Sequence, residues 1–512
     1  MVKLRFSASR MPRQLGYYAF LMAALVISRA LFLHAGNTFD LGLGMYQYVD
    51  AALLRSDLLR SLFYLHSQPP FFNLFLALGL RLFPYHYVGF FQFSYWMFGL
   101  LMVAALFRLM MLLGVGPILA LCLTLLFELS PGTMLIESWF YNTYPTAVML
   151  CVAALCLLQY TRTNRLSFAI GFVVCAITPV LINSTFQLPW IFLLAIALGI
   201  TLPERELVRL AKVATPLLML VAALYLKNLM VFGIFTSSSW MGMNLTTMTF
   251  TRLDPGERQT LIARGVISPV CVDADALETS LIAAPPSGIP VLDEIQKSDG
   301  STNFNHLALI EIYGVCLCEE LWVIRHRPGA YVKGILFSLA MYFSPAGDYF
   351  VFHDSRARIA AWVRIYQAIA RPVLLPWRPM LSLLLGERDV ERRLSSLLAG
   401  SDVLRLGGPS IVLIVLLPTA VIFAAMKLLR AWQRGNLKSP EAACLMFIIA
   451  AIVYSSVLNV LLECGENNRL RYVVDPLFVA LVGLFLARAI PAAKVYLHRT
   501  FLRGQQIQNG AL

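Results

Sequence analysis

The sequence predicts an all-α protein that crosses a membrane many times, and three observations carry this prediction. Hydrophobic residues make up 59% of the 512 residues and charged residues only 13%, whereas soluble globular chains carry roughly 25% charged residues. Mean hydropathy is +0.72. Apolar stretches of about 20 residues, the length that a helix needs to cross a hydrocarbon core, recur about ten times. We therefore expect a bundle of about 10–12 transmembrane helices.

The distribution of charge predicts an orientation for this bundle. Lys and Arg outnumber Asp and Glu by 41 to 28, and they cluster at the ends of apolar segments, as cytoplasmic cations do. Lys3 and Arg5 precede the first apolar segment, and Lys494 and Arg499 follow the last, so both termini are expected in the cytoplasm. No basic stripe with interleaved aromatic residues lies on a polar segment, and nucleic acid is therefore not expected as a partner.

An N-terminal transmembrane module is predicted over residues 1–231. Its first external segment, residues 35–86, is too polar to cross a membrane. The run Phe71–Phe83 within that segment has only about 13 apolar residues, which is short for a span and suits an interfacial helix. Spans are predicted at 15–34, 87–107, 116–136, 145–160, 166–183, 186–202 and 213–231.

A long external or interfacial region, 232–408, separates this module from a C-terminal transmembrane module over 409–512. Loops of this length are usually functional or disordered. Two arrangements are open for its second half: an extra helix pair within 331–386, or amphipathic helices lying on the outer surface. In the C-terminal module, spans are predicted at 409–427, 441–461 and 473–488.

Polar residues collect beside the predicted outer ends of the spans, where a charge is costly unless it faces a cavity or a partner. The first group is Asp40, Tyr46 and Asp50, just after the first span. A carboxylate here could act as a general base on a hydroxyl group or help to hold a divalent cation. Composition alone favours the plainer role of a solvated Asp or a helix cap.

Two further groups combine polar and aromatic residues. His66 and Gln68 precede two prolines that set an extended entry into an apolar helix, and they could hydrogen-bond a sugar or a phosphate. The stretch 137–145 contains Glu137 and Tyr141 among other aromatic residues, a mixture that suits stacking on sugar rings. An aromatic belt at the membrane surface explains the aromatic residues of the stretch 137–145 almost as well.

The fourth group is the segment 463–472, which contains Arg469 and Arg471 at the outer end of a predicted helix. The positive-inside rule disfavours two arginines on the external side of a membrane, so their presence here indicates a specific role. A guanidinium group is suited to bidentate phosphate contacts, and local pairing with Glu463 and Glu466 is the alternative. No spacing of His, Cys or Asp residues indicates a metal site, and the metal is left undetermined.

In their order along the chain, these features resemble the GT-C glycosyltransferases, most closely the bacterial members related to protein O-mannosyltransferases and the lipid A aminoarabinose transferase. In that family an acidic residue follows the first helix, as Asp40 does here. The first external loop then ends in a His-Pro-Pro-like element before a short apolar helix, as residues 66–72 do. The resemblance covers residues 15–165 best. A single Asp stands in place of the usual acidic pair, so the base is open between Asp40 and Asp50.

The resemblance implies a reaction in a bacterial inner membrane. Such enzymes move a sugar from a polyprenyl-phosphate donor to a lipid, glycan or protein acceptor on the extracytoplasmic side, by inverting displacement at the anomeric carbon. No cofactor is implied except a divalent cation as one alternative. The implied roles are Asp40 or Asp50 as catalytic base, Arg469, Arg471 and Tyr472 on the donor phosphate, and Tyr46, His66, Gln68, Glu137, Tyr141, Glu466 and Asn467 around the sugar or acceptor.

Two other classes of function compete with this one. A transporter or flippase of lipid-linked sugars would need ionisable residues in the middle of its spans, and no inverted repeat is visible in the sequence. A non-catalytic protein of envelope assembly would be indifferent to changes at Asp40 and Arg469.

Overall fold

The computed structural model describes residues 11–370 and 411–491, and these described residues are helical, with no β-strand among them. The N-terminal part contains twelve of the described helices, which are α1 (Met11–His34), α2 (Ala51–Ser56), α3 (Leu58–Phe63), α4 (Pro70–Leu82), α5 (Tyr87–Leu112), α6 (Pro117–Glu128), α7 (Pro131–Glu137), α8 (Thr143–Thr163), α9 (Leu166–Ile177), α10 (Pro179–Ile182), α11 (Leu188–Thr201) and α12 (Glu204–Phe232).

The rest of the described chain begins with short helices and ends with long ones. In order, these helices are α13 (Met241–Met248), α14 (Pro255–Ala263), α15 (Ala274–Ile282), α16 (Pro290–Asp293), α17 (Ala308–His326), α18 (Pro328–Tyr342), α19 (His353–Arg358), α20 (Ala360–Ala370), α21 (Ile411–Gln433), α22 (Pro440–Leu462), α23 (Asn467–Tyr472) and α24 (475–491).

Six described helices are long and apolar enough to cross a membrane, which confirms the prediction of a multi-pass membrane protein. They are α1, α5, α8, α12, α21 and α22, and each coincides with a predicted span. The predicted span 116–136 is broken instead: α6 and α7 meet at 59°. Ser130 caps α7 and Pro131 begins it, which explains why α6 does not continue.

The remaining predicted spans are short. Helix α4 is a 13-residue apolar helix, as the sequence predicts, and the predicted spans 166–183 and 186–202 appear as shorter apolar helices. By length and composition the described residues therefore provide six spans, or seven if the bent pair is one span, rather than 10–12. Of the predicted pair within 331–386, residues 371–386 lie outside the described residues.

Helix α8 lies at the centre of the bundle and packs against α5, α9 and α22. Small residues on α8, including Ala147, Cys151 and Ala154, are fully buried. Small side chains let helix backbones approach closely, and close packing is a main source of helix association in a membrane. The Cys444 thiol of α22 lies 3.6 Å from the carbonyl oxygen of Ala154.

The connections between helices gather at two ends of the bundle. At one end, named here the basic end, Arg162 donates a hydrogen bond to the carbonyl of Leu112, and Arg209 donates to Asn164. The turns 112–117, 163–166, 201–204 and 433–440 lie at this end. The other end, named the loop end, carries residues 35–86, 137–143, 182–188, 232–370 and 462–475.

The helices of the segment 241–342 pack tightly at the loop end. A Cβ atom added to Gly242 of α13 would lie 2.0 Å from the carbonyl oxygen of Tyr313 in α17, so the two helices meet backbone to backbone. A disulfide bond joins Cys271 to Cys316 of α17, across 45 residues of sequence. Together these contacts hold the helices of this segment against one another.

Candidate functional site

A cavity of about 720 Å³, named here the loop-end cavity, opens among the connections of the loop end. Its lining residues come from distant parts of the chain: the loop after α1, the start of α8, the turn between α10 and α11, the segment 234–244, and the junction 454–470 between α22 and α23. Tyr46 and Glu466, which are 420 residues apart, are joined by a hydrogen bond at its wall.

Arg469 is the only cationic side chain that lines this cavity within the described residues. Its guanidinium group donates to the hydroxyl of Thr143 at 2.9 Å and to the carboxylate of Glu466. It also lies 4.5 Å from the ring centre of Tyr141, a cation–π contact. Its Nε–H has no partner in the described part of the chain. Because a guanidinium group has five N–H donors, its contacts to Thr143, Glu466 and Tyr46 do not use all of them.

A chain of hydroxyl groups orients the carboxylate of Glu466. The hydroxyl of Tyr141 donates to that of Tyr46 at 2.7 Å, and Tyr46 donates to Glu466 at 2.9 Å. Tyr349 donates to the other carboxylate oxygen. Burial opposes the ionisation of Glu466, but the charge of Arg469 and these hydrogen bonds outweigh it and lower the pKa of Glu466. The pair therefore stays charged at neutral pH.

Glu463 is the second carboxyl group on the cavity wall, and its environment is different. Among the described residues it forms no ion pair, and it accepts one hydrogen bond, from the backbone N–H of Cys464 at 3.2 Å. Burial, with the nearby charge of Glu466, raises the pKa of Glu463 to about 8. Two carboxyl groups three residues apart thus hold different protonation states at pH 7, an arrangement typical of acid–base sites.

The remaining polar lining consists largely of amide groups and aromatic rings. The ring of Trp240 lies 4.8 Å from that of Tyr46, and its indole N–H has no partner within residues 11–370 and 411–491. Amides both donate and accept hydrogen bonds, and rings offer flat apolar faces, so this lining suits a sugar. The amide side chains on the wall are Gln47, Gln68, Asn142, Asn183, Gln187, Asn244 and Asn459.

One side of the cavity is apolar. Leu188, Ile234, Leu458 and Leu462 line it, together with Phe235, whose side chain is 62% exposed. These residues lie at the loop-end limits of α11, α12 and α22. The cavity therefore joins a polar wall to an apolar flank at the surface of the bundle.

Five of the predicted site residues meet in this cavity: Tyr46, Gln68, Tyr141, Glu466 and Arg469. Gln68 is buried and makes no hydrogen bond within the described residues, which leaves its amide available to the cavity. The other predicted site residues lie at the same end or deeper in the bundle but do not line it. They are Asp40, Asp50, His66, Glu137, Asn467, Arg471 and Tyr472.

The two predicted catalytic carboxylates have local partners. Asp40 is exposed, and its carboxylate accepts the backbone N–H of Gly42 at 2.9 Å. Its backbone pairs with the strand-like segment 138–140, beside Trp139, whose ring stacks at 4.1 Å on Tyr141. Asp50 is the N-cap of α2 and also accepts hydrogen bonds from Ser298. Asp50 is therefore a helix cap, one of the two non-catalytic roles that the sequence left open for these residues.

His66 holds two segments of the loop end together. Its Nε2 lies 3.0 Å from the carbonyl oxygen of Asn305, and its Nδ1 lies 3.0 Å from the hydroxyl of Ser239. Burial lowers the pKa of His66 to about 3, so the ring is neutral at pH 7. Since a carbonyl can only accept, Nε2 carries the proton and Nδ1 accepts from Ser239.

Arg471, which was predicted to bind the donor phosphate, does not line the cavity and is hydrogen-bonded to other parts of the protein. It pairs with Asp475 at 2.9 Å and donates to the carbonyls of Tyr342 and Ser344. These contacts hold the end of α18 against the start of α24. Tyr472, beside it, is buried and stacks on Tyr144.

Asn467 and Glu137 also have structural partners. The amide of Asn467 donates to the carbonyls of Asn459 and Glu463 at the end of α22, where such carbonyls lack helical partners. Glu137 is buried and pairs with Arg29 of α1.

Several residues on the cavity wall or in contact with Arg469 were not predicted from the sequence, among them Thr143, Gln187, Trp240 and Tyr349. No spacing links them to Arg469, because they approach it only through the packing of α8, α11 and the long loop. In the described ranges there is also no group of three or more His, Cys, Asp or Glu residues that could hold a metal ion.

The helices and the cavity together define a class: an α-helical, multi-pass membrane protein with a polar cavity at one end of its bundle. No protein-family model, curated protein or solved structure matches this chain.

Proposed function

We propose that this protein is a glycosyltransferase that moves a sugar from a polyprenyl-phosphate donor to an acceptor hydroxyl on the extracytoplasmic side of the membrane. The observation that carries the proposal is the composition of the loop-end cavity. It presents a guanidinium group, a set of amides and rings, and an apolar flank within one space. These surfaces correspond to the phosphate, the sugar and the lipid of such a donor.

Two observations support the orientation. Cations such as Arg162, Arg209 and Arg488 lie at the basic end, which the positive-inside rule assigns to the cytoplasm. The disulfide bond between Cys271 and Cys316 lies at the loop end, and disulfides persist in oxidising compartments. The loop-end cavity would then face the extracytoplasmic side. The bacterial inner membrane remains an expectation from the resemblance.

The proposed reaction is a direct displacement. The acceptor oxygen attacks the anomeric carbon and loses its proton to a base, while the bond from that carbon to the phosphate oxygen breaks and its electron pair leaves with the lipid phosphate. Arg469 would stabilise the charge that develops on the leaving phosphate. Glu466 is already paired with Arg469, so its role would be to orient the guanidinium group.

We assign the role of base to Glu463, because it is the carboxyl group that lines the cavity and forms no ion pair within the described residues. Asp40, the base that the resemblance implies, accepts a hydrogen bond within its own loop and does not line the cavity. Only deprotonated Glu463 can accept a proton. Because its pKa is about 8, we expect kcat/KM to rise about tenfold per pH unit below pH 8 and to level off above it.

The test uses purified full-length protein in lipid nanodiscs with a panel of radiolabelled polyprenyl-phosphate sugars. One donor should be consumed. Glu463→Gln should abolish turnover but keep donor binding, and Arg469→Lys should lower kcat by about 10²–10³-fold. Asp40→Asn should stay within about threefold of wild type. Glu278→Gln, which removes an exposed carboxylate that does not line the cavity, is the matched control.

Two results would overturn parts of the proposal separately. If no donor is consumed, glycosyl transfer itself is wrong. If Asp40→Asn loses turnover while Glu463→Gln retains it, the assignment of the base returns to Asp40.

A further inference from the structure

A second cavity, of about 490 Å³, lies at the opposite end of the bundle from the proposed catalytic site. It is enclosed by the end of α21, the start of α22 and the end of α24, and we name it the basic-end cavity. Among the described residues, four cations line it, Lys427, Arg430, Arg434 and Arg488, together with one carboxylate, Glu441.

Most of this positive charge is not neutralised. Lys427 pairs with Glu441. The guanidinium groups of Arg430, Arg434 and Arg488 donate to no side chain or carbonyl of the described residues. Three cations on one small concave surface repel one another, and an anion in the cavity would relieve that repulsion.

The start of α22 adds to this attraction. Ser439 caps this 23-residue helix, Pro440 begins it, and Ala442 lines the cavity. A helix N-terminus carries a partial positive charge, and this charge favours phosphate-like anions. Glu441 in the first turn of α22 offsets part of this positive charge, but the described cations of the cavity outnumber it.

The position of the cavity indicates the source of the anion. Apolar side chains, among them Phe423 and Leu428, form its inner wall. On the outer face of α21, Met426 and Leu429 are 42% and 50% exposed, and Trp432 at the helix end is 65% exposed. Exposed apolar residues below an interfacial Trp mark a lipid-facing surface. Acyl chains could lie along α21 while a headgroup enters the cavity.

We propose that the basic-end cavity binds the phosphate headgroup of an anionic phospholipid, held by Arg430, Arg434 and Arg488. Basic pockets between transmembrane helices bind such headgroups through charge and hydrogen bonds. The proposal does not depend on glycosyl transfer. It applies whichever reaction occurs at the loop end.

The test measures lipid uptake by full-length protein in detergent, using native mass spectrometry with cardiolipin, phosphatidylglycerol or phosphatidylcholine. Wild type should retain the anionic lipids in preference to phosphatidylcholine. The variant Arg430→Gln/Arg434→Gln/Arg488→Gln should lose affinity by about fivefold per arginine. The control Arg165→Gln/Arg205→Gln/Lys212→Gln removes three exposed cations of the same end that do not line the cavity, and it should bind as wild type does.

A second variant and a competition complete the test. Glu441→Gln removes the only carboxylate that lines the cavity among the described residues, and it should strengthen binding of anionic lipid about fivefold. Inorganic phosphate at millimolar concentration should not displace the lipid; if it does, the cavity binds a soluble phosphate and the lipid assignment is wrong. If the cavity variant and the control lose the same amount of affinity for anionic lipid, the effect comes from the overall charge of this end of the protein, and the proposed binding site is wrong.

Discussion

Replacing Arg29 by Met should destabilise the protein by about 3–5 kcal/mol. Arg29 of α1 donates from Nε to Glu137 at 3.0 Å and from Nη2 to Glu128 at 2.8 Å. The side chains of these three residues are 8%, 3% and 2% exposed. One cation therefore binds two buried carboxylates and ties α1 to both halves of the bent pair α6 and α7.

The magnitude follows from what the substitution leaves behind. Without Arg29, two carboxylates share a buried space with no cation, and removing one partner of a buried ion pair typically costs about 3–5 kcal/mol. The triple variant Arg29→Met/Glu128→Gln/Glu137→Gln removes the charges as well. Only unpaired amides remain, so its loss should be at most about 2 kcal/mol. The neutral triple variant should thus be more stable than the single one.

The assay is reversible unfolding in mixed micelles with increasing SDS, followed by tryptophan fluorescence. Arg165→Met, at an exposed position of the basic end, is the control and should change the free energy of unfolding by less than about 0.5 kcal/mol. A loss below 1 kcal/mol for Arg29→Met, or a triple variant no more stable than the single one, would refute the role assigned to buried charge.

Three further predictions concern the loop end. Burial lowers the pKa of His66 from an ordinary 6.5 to about 3, so between these pH values His66 is protonated in the unfolded chain but not in the folded protein. The free energy of unfolding should therefore fall by about 1.4 kcal/mol per pH unit as the pH drops from 6.5 to about 3. Thermal unfolding of His66→Gln over the same pH range should show a smaller fall. Gly242→Ala, whose Cβ would lie 2.0 Å from a carbonyl oxygen of the facing helix, should cost about 1–3 kcal/mol in SDS unfolding, whereas Gly256→Ala, with no atom within 4 Å, should be neutral or slightly stabilising. Cys271 and Cys316 should react with a maleimide only after reduction; because Cys122 and Cys318 are free and exposed, the labelled positions are read by peptide mass spectrometry, and label on Cys271 or Cys316 in untreated protein would contradict the disulfide.

The sequence alone determined the positions of the six long apolar helices of the described chain. Hydropathy is a local property, and each of the six long apolar helices lies where an apolar run predicts it. Ser130 and Pro131 mark a turn in the sequence at the break between α6 and α7, but the predicted span 116–136 runs through them. A proline ends a helix in one context and only bends it in another, as Pro216 shows within the continuous helix α12.

Only the tertiary structure decided which polar residues share a cavity. Arg469 and Arg471 have the same chemistry and lie two positions apart, yet one lines the cavity and the other is tied to Asp475. A helix turns about 100° per residue, so such neighbours point in nearly opposite directions. Which direction faces the cavity depends on the packing of Tyr46 and Tyr141 from distant segments against α23, and no local pattern in the sequence records that packing.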